Sequence, residues 1–562
     1  MEKTTSFIPM PLGISDFPTL RERGCYFVDK THVIRDLYTR RHMVTLFTRP
    51  RRFGKTLTLS MIASFFDITK KDRVQELFAG TTIADDAEMM KEAGTRPVVM
   101  ISLKDVTEAT PDRILRLLGM LVSMTYKSYD FLLNDNCLSN DEKKIFQRIL
   151  ANKAQREELA LSVKLLTTFL HRYYGKRPIL FIDEYDAPIQ CAWEHHCYDE
   201  VMSFFRPFFS SAFKDNPSLD SAVLTGVLRI AKESIFSGLN NLVVSSVLSG
   251  GYRDAFGFTK EEVTLLSQKL GYTDKLSELA EWYDGYNFQG IEIYNPWSVL
   301  NYFDQDCKPR AYWMNTSSNS ILHDLLTHAD RRRYEEIDRL MKGGSIVTPL
   351  TDGIIYQNIG AMRTALWSVM LYTGYLKCTE TMDEDELPQY VLSIPNHEIR
   401  SVYRTEILQS LDDGTGNTEA ALYDMLQAMI TGDTALFEEN LQDLLLRSMS
   451  YHDTAKTPEA FYHGLMLGFT LYYEHRYRTQ SNRESGYGRF DLAMFPKKAN
   501  LPGVLLEFKA AETPDALRSS AAEAFTQIAD KSYLTEFRAQ NVTDVWCYGI
   551  AFCGKQVMIK NA

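Results

Sequence analysis

The stretch that most constrains this chain runs from Val44 to Leu57. Val44-Thr45-Leu46-Phe47-Thr48 is apolar and β-branched, which reads as a buried strand. Arg49-Pro50-Arg51-Arg52-Phe53 is a turn, and Gly54-Lys55-Thr56-Leu57 opens a helix. A strand, a turn and Gly-Lys-Thr at a helix start is the layout of a phosphate-binding P-loop. Main-chain N–H groups cradle a triphosphate there, a lysine neutralises its β/γ oxygens, and a hydroxyl ligates Mg²⁺. Lys55 and Thr56 take the last two roles. Arg51, Arg52, Phe53, Gly54 and Leu57 complete the candidate nucleotide-contacting set. In G-x-x-x-x-G-K-[ST] the first glycine would fall where Arg49 stands.

A second stretch supports the first. Pro178-Ile179-Leu180-Phe181-Ile182 is continuously apolar and ends in Asp183-Glu184-Tyr185-Asp186. Strands of a parallel sheet are buried on both faces and read in this way. Ligands gather at the carboxyl ends of such strands. Asp183 is placed to hold Mg²⁺ through water, and Glu184 to polarise an attacking water. Read blandly, the segment is a strand ending in a solvated acidic turn.

Further strands are expected at Arg96–Leu103, Ser221–Leu228 and Leu242–Val247, with a largely helical insertion over 110–170. Together they predict an α/β domain with a parallel sheet over residues 1–255. Thr225 falls at a strand end, where a hydroxyl could sense a γ-phosphate. Arg229, just beyond, could stabilise transferring phosphoryl charge, or be a surface base. Tyr26-Phe27-Val28-Asp29-Lys30-Thr31 precedes the P-loop strand, near where P-loop ATPases place the nucleotide base. Asp29 is therefore a candidate contact, with N-capping as its structural alternative. Residues 256–450 read as a helical lid and connector rich in aromatic turns, with a candidate winged helix near 362–400.

The segment 451–562 carries a different constellation. Gly488-Arg489-Phe490-Asp491 enters one strand, and Gly503-Val504-Leu505-Leu506-Glu507-Phe508-Lys509 forms another. Alternation puts Glu507 and Lys509 on one face. Two antiparallel strands can bring Asp491 and Glu507 together around Mg²⁺, with Lys509 beside them to orient or deprotonate water. The spacing D-x15-E-x-K is that of a PD-(D/E)xK nuclease core. Glu459, at the start of a helix after Thr457-Pro458, could add an acid near the metal or complement the helix dipole. Gln527, in a downstream helix, could contact metal-bound water or a DNA backbone.

Composition narrows the setting. The net charge is −11, yet residues 451–562 hold 13 Lys+Arg against 12 Asp+Glu, so DNA contact must rest on local bases. Eight scattered cysteines suit a reducing compartment, and the Cys191–Cys197 group lacks the second half of a metal site. The absence of a long apolar run, and an N-terminus without an apolar core, predict a cytoplasmic protein that makes no membrane contact.

Several motifs together carry a resemblance. They are Leu12-Gly13-Ile14-Ser15-Asp16-Phe17, Tyr26–Thr31, Thr48–Thr56, Phe181–Asp186, Thr225–Ile230, Trp282-Tyr283-Asp284-Gly285-Tyr286, Tyr462-His463-Gly464 and Glu484–Asp491. On these the chain resembles, over nearly its whole length, a bacterial family of AAA-type ATPases fused to a C-terminal PD-(D/E)xK nuclease-like domain. That family's own P-loop looks like T-R-P-R-R-F-G-K-T, so Arg49 is a family trait. The resemblance implies ATP and Mg²⁺ as cofactors. It assigns phosphate binding to Lys55, Mg²⁺ to Thr56 and Asp183, the hydrolytic base to Glu184, and the nuclease core to Asp491, Glu507 and Lys509. The expectation is an ATP-driven switch controlling a Mg²⁺-dependent DNA nuclease, in defence or mobile-element biology. DNA is the expected partner; a protein or a second copy of the chain is the alternative. The rival functions are a switch whose nuclease-like domain binds without cutting, and a nucleotide scaffold without turnover.

Overall fold

A computed structural model describes residues 9–214, 216–230, 241–249, 251–313, 331–341, 343–351, 353, 363–384, 387–409, 418–448, 459–473, 476–485, 488–498, 500–530 and 533–561. The chain divides into two compact units. One comprises Met1–Ser317 with Val347–Glu398, the other Ser318–Ile346 with Ile399–Ala562.

The first unit is built on five parallel strands: β1 (Val44–Thr48), β2 (Val98–Ser102), β3 (Ile179–Asp183), β4 (Ser221–Gly226) and β5 (Leu242–Ser245). Their order in the sheet is β2-β3-β4-β1-β5, and the sheet is parallel, as the sequence predicts for an α/β domain. Every residue of β1 and of β3 is buried. Burying Leu46, Phe47, Leu180, Phe181 and Ile182 stabilises by roughly 1.5–3 kcal/mol per side chain. The register pairs Phe47 with Thr225 and Ile182 with Leu224, so strands 1, 3 and 4 end side by side. The helix Lys55–Phe66 leaves the end of β1 and packs on β3 and β4.

Past the sheet come β6 (Phe258–Thr259), β7 (Tyr286–Phe288) and β8 (Ile291–Tyr294), in the order β6-β8-β7. Then β9 (Ile346–Pro349), β10 (Lys377–Glu384) and β11 (Leu387–Ser393) form a second small sheet, ordered β10-β11-β9. The helix Arg363–Thr373 precedes the β10–β11 hairpin, within the region read as a candidate winged helix.

The second unit holds a mixed sheet of β12 (Tyr477–Ser485), β13 (Gly488–Pro496), β14 (Gly503–Ala510), β15 (Val545–Cys553) and β16 (Gln556–Asn561), in sequence order. Strands 14 and 15 are parallel and the other neighbours antiparallel. Helices Thr418–Thr431, Thr434–Ser448 and Glu459–Leu471 contribute to one core with this sheet, through Leu426, Phe437, Leu441 and Met466. The helix Leu517–Asp530 covers β14, β15 and β16. It sits close because β15 has no side chain at Gly549. A Cβ there would lie 2.3 Å from the Phe525 nitrogen and 2.4 Å from the Ala521 oxygen. Among the described residues, no helix is long and apolar enough to cross a membrane. The eight cysteines are free thiols.

Gly549→Ala is therefore expected to push this helix off the sheet and cost about 1–3 kcal/mol of stability, as overpacking does. Urea denaturation of the variant measures this, and an unchanged midpoint would contradict the packing.

Candidate functional site

The first site lies where β1, β3 and β4 end. Gly54 has φ 82° and precedes the helix Lys55–Phe66, whose first N–H groups have no side-chain cap. Such a helix start favours anions through its unpaired N–H groups and its dipole. Lys55 is buried, and its Nζ donates to the carbonyls of Arg49 (3.2 Å) and Pro50 (3.1 Å). The Thr56 hydroxyl donates to Asp183 Oδ2 at 2.7 Å. The Thr225 hydroxyl donates to Asp183 Oδ1. One buried carboxylate thus joins the P-loop helix, the β3 end and the β4 end. Hydroxyls and a carboxylate are the hard oxygen donors that Mg²⁺ takes, and Lys55 beside them suits phosphate oxygens.

Arg49, at the place of the consensus glycine, is 0% exposed. Its guanidinium donates to the carbonyls of Thr48 (3.0 Å), Ser245 (2.8 Å) and Tyr252 (3.1 Å), and to Ser245 Oγ (3.1 Å). It also stacks against Phe256 and Phe288, each ring centroid 5.3 Å away. Burial lowers its pKa to about 9. The side chain therefore anchors the loop backward to β5 and its following turn, away from the anion-binding edge.

The remaining loop residues are docked one by one. Arg51 Nη2 donates to Gln190 at 3.3 Å, and the Arg51 carbonyl accepts from the Trp313 indole at 3.4 Å. Arg52, at φ 70°, lies over the Trp297 ring at 4.5 Å. Burial lowers its pKa, which the charge of Glu184 partly offsets. Phe53 packs edge-on against Tyr286 at 4.9 Å. Trp313 is itself held by the buried Glu398, whose carboxylate accepts from the Trp313 N–H (2.9 Å) and from the Ser298 hydroxyl (2.8 Å). Burial raises the Glu398 pKa to about 7. Leu57 lies in the first turn of the helix.

Glu184 has φ 52°, the left-handed region in which a residue with a side chain is uncommon and costs about 1 kcal/mol or more. Such strain concentrates at functional positions. Asp186 is 2% exposed and accepts the N–H groups of Val227 and Leu228, both at 2.8 Å. Burial, then the Glu184 charge, raises its pKa to about 6. Arg229 follows in the turn those N–H groups begin. The Asp29 carboxylate accepts from Thr31 N (2.9 Å), the Thr31 hydroxyl (2.6 Å) and Thr82 N (2.6 Å), while the N-cap of the helix His32–Arg40 is Thr31, without a side-chain cap bond.

The second site joins β13, β14 and the helix Leu517–Asp530. The antiparallel register pairs Leu492 with Leu506, so Asp491 and Glu507 meet one step further along. Each carboxylate takes an N–H from the other strand. Phe508 N donates to Asp491 Oδ2 at 2.8 Å, and Asp491 N donates to Glu507 Oε2 at 3.3 Å. Gln527 donates to Glu507 Oε1. The close approach at Gly549, paired with Glu507, sets the depth of that helix. Glu507 is buried, while Lys509 is 31% exposed and lies 3.7 Å from Glu523, itself 72% exposed. Glu459 opens its helix, and its side chain lies outside the described residues, as do Thr457 and Pro458.

Sequence reasoning gave no role to several neighbours. The His463 Nε2 is 2.9 Å from the Asp491 carbonyl, and its ring lies 5.7 Å from Phe508. The Tyr533 hydroxyl is 3.5 Å from Gln527 Nε2. His463 stands in a quoted motif, whereas Tyr533 carries no sequence signal beyond its helix end. Tyr185, Asp186, Trp297 and Trp313 were likewise legible only as motif or aromatic residues. Among the described residues, no group of three or more His, Cys, Asp or Glu is arranged to hold a metal. Cys191 Sγ donates instead to the Glu108 carbonyl at 3.4 Å.

Arg49→Gly restores the consensus glycine but leaves the Ser245 and Tyr252 carbonyls without their buried donor. Its expected cost is about 3 kcal/mol. Urea unfolding followed by tryptophan fluorescence reads this, and a cost under about 1 kcal/mol would contradict the anchoring role.

Comparison with known proteins finds matches to both parts of the chain. Residues 11–236 match the family described as predicted AAA-ATPase, and residues 457–562 match the PD-(D/E)XK nuclease superfamily. The chain is 27% identical over 544 residues to a protein of Azotobacter chroococcum mcd 1, covering 94% of each. That relative is described as an uncharacterized protein in the vnfD 5′ region. The Walker-type ATPase PABY2304 of Pyrococcus abyssi shows a loose likeness, with a TM-score of 0.36 and 14% identity over 71% of this chain and 99% of that one. Two family models thus match one polypeptide, the predicted AAA-ATPase model over residues 11–236 and the PD-(D/E)XK nuclease superfamily model over residues 457–562.

Proposed function

We propose that the chain is an ATP-binding and ATP-hydrolysing switch coupled to a Mg²⁺-dependent DNA nuclease. The observation that carries this reading is the meeting of Lys55, Thr56, Asp183 and Thr225 at adjacent strand ends, with Thr56 Oγ1 2.7 Å from Asp183. Mg²⁺–ATP, when bound, supplies the phosphoryl group to be transferred and a divalent charge. Lys55 exchanges its loop carbonyls for phosphate oxygens. Thr56 and Asp183 hold the cation. Glu184 orients and takes a proton from the attacking water, and Arg229 stabilises the charge that develops on the phosphoryl oxygens. Thr225 reports on the γ-phosphate end through its hydrogen bond to Asp183.

In the second site Asp491 and Glu507 hold a divalent cation, which supplies Lewis acidity when bound. Lys509 orients or deprotonates water, and Gln527 fixes Glu507. Two neighbouring carboxylates repel each other without a cation, which supports this assignment. The proposed partner is DNA, and the setting in defence or mobile-element biology rests on the family resemblance. One observation favours a second reading, a nuclease-like module that binds without cutting. Lys509 is paired with Glu523 at 3.7 Å.

Lys55→Ala is expected to abolish ATP turnover, and retained turnover would defeat the ATPase assignment. Cleavage of single- and double-stranded DNA with Mg²⁺ or Mn²⁺, with and without ATP, tests the nuclease. Lys509→Ala should lose cleavage by at least about 100-fold while keeping ATP turnover, and Glu184→Gln should alter the ATP response. Turnover of ATP without cleavage under any condition favours the binding module.

A further inference from the structure

The segment after the catalytic acids does more than end a strand. Tyr185 is fully buried. Its main-chain N–H donates to the Thr225 carbonyl at 3.0 Å. Its hydroxyl donates to the Leu228 carbonyl at 2.6 Å and accepts from Ile230 N–H at 3.1 Å. Asp186 Oδ2 accepts from Val227 N–H and Leu228 N–H. The turn carrying Arg229 therefore has three of its N–H groups and one carbonyl bound by two adjacent side chains. Those side chains immediately follow Asp183 and Glu184. The same turn is tied to the P-loop, because Arg49 N–H donates to the Gly226 carbonyl at 3.2 Å.

Past the end of β4 at Gly226, Val227–Arg229 are outside the ladder that would set their shape. Here the shape is imposed by the turn after β3 that also bears Glu184. Buried, doubly satisfied carboxylate contacts of this kind are stiff, since losing a partner strands a buried polar group. A displacement of about 1 Å in a catalytic group can reduce rate about 100-fold.

We propose that Tyr185 and Asp186 are positioning residues for ATP hydrolysis, clamping the Thr225–Ile230 turn so that Arg229 is held in fixed relation to Asp183 and Glu184. This rests on the reading that the first site hydrolyses ATP. The clamp acts on turnover and leaves nucleotide binding by Lys55 and Thr56 in place. It also makes Asp186 dependent on Arg229. Once Arg229 is gone, there is nothing left for the clamp to position.

The test uses the full chain with Asp186→Asn, Tyr185→Phe, Arg229→Ala and the Asp186→Asn/Arg229→Ala pair. Steady-state ATP turnover and the affinity for a non-hydrolysable ATP analogue are measured for each. Asp186→Asn is expected to lower kcat at least about tenfold while changing analogue affinity less than about threefold. Tyr185→Phe, which keeps the buried ring, should give the same split more weakly. The double variant should be no slower than Arg229→Ala alone. Additive losses, parallel loss of affinity and turnover, or wild-type kcat in both Asp186→Asn and Tyr185→Phe would overturn the clamp. If Asp186→Asn fails to fold, Tyr185→Phe and its pair with Arg229→Ala decide by the same criteria. Absence of turnover in the wild-type chain overturns the ATPase reading itself, and this inference with it. Wild-type turnover with an additive double variant overturns only the clamp.

Discussion

A single cation taken fully out of water governs the shape of the phosphate loop. Arg49 is 0% exposed and holds three carbonyls and a hydroxyl around β5 and the turn that follows it. Desolvating a guanidinium is costly unless its donors are satisfied and aromatic faces cover it. Here four hydrogen bonds satisfy the two terminal nitrogens and the rings of Phe256 and Phe288 cover the group, while the buried Nε has no hydrogen-bond partner. A conventional loop gains its tight turn from a flexible glycine. This loop is instead held by docking, with Arg51, Arg52 and Phe53 each fixed against a different side chain. Lys55 then has a defined pair of carbonyls to rest upon.

The same device recurs across the chain. Buried or half-buried carboxylates receive main-chain N–H groups from irregular segments or neighbouring strands. Asp186 receives Val227 and Leu228, Asp491 receives Phe508, Glu507 receives Asp491, and Glu398 receives Trp313. In each case one group solves two problems. The carboxylate recovers the hydrogen bonds it lost with water, and the backbone donor is not left orphaned. Segments outside regular ladders acquire definite geometry by this means. Both sites are built from such segments.

The parallel sheet was legible because β1 and β3 are apolar without interruption, and each ends in polar chemistry at Thr48 and Asp183. The nuclease-like strands were legible from alternation, which places Glu507 and Lys509 two residues apart. What sequence could not carry was side-chain partnership over long separations. Asp29 has the right location for a nucleotide contact, yet Thr82, far along the chain, takes its second oxygen. Lys509 lies on the expected strand, yet Glu523 of the covering helix sits beside it. Arg49 was visible as a departure from a consensus, but its partners Ser245, Tyr252, Phe256 and Phe288 lie some two hundred residues on, without any local pattern. Tyr533, a turn residue just past the end of the helix Leu517–Asp530, folds back to Gln527.

Glu398 carries a thermodynamic consequence of its burial. Its carboxyl titrates near pH 7 in the folded chain, against an ordinary value of 4.5. Between those values the unfolded chain has released a proton that the folded chain retains. Folding there draws a proton from solvent, and acidification from above pH 7 toward 4.5 favours the native state. Carboxylates with a lowered folded pKa act in the opposite sense, and only at more acid pH. The gain comes from removing a buried charge, whereas the hydrogen bonds from Trp313 and Ser298 favour the ionised form, so mild acid stabilises the fold while loosening the hold on Trp313.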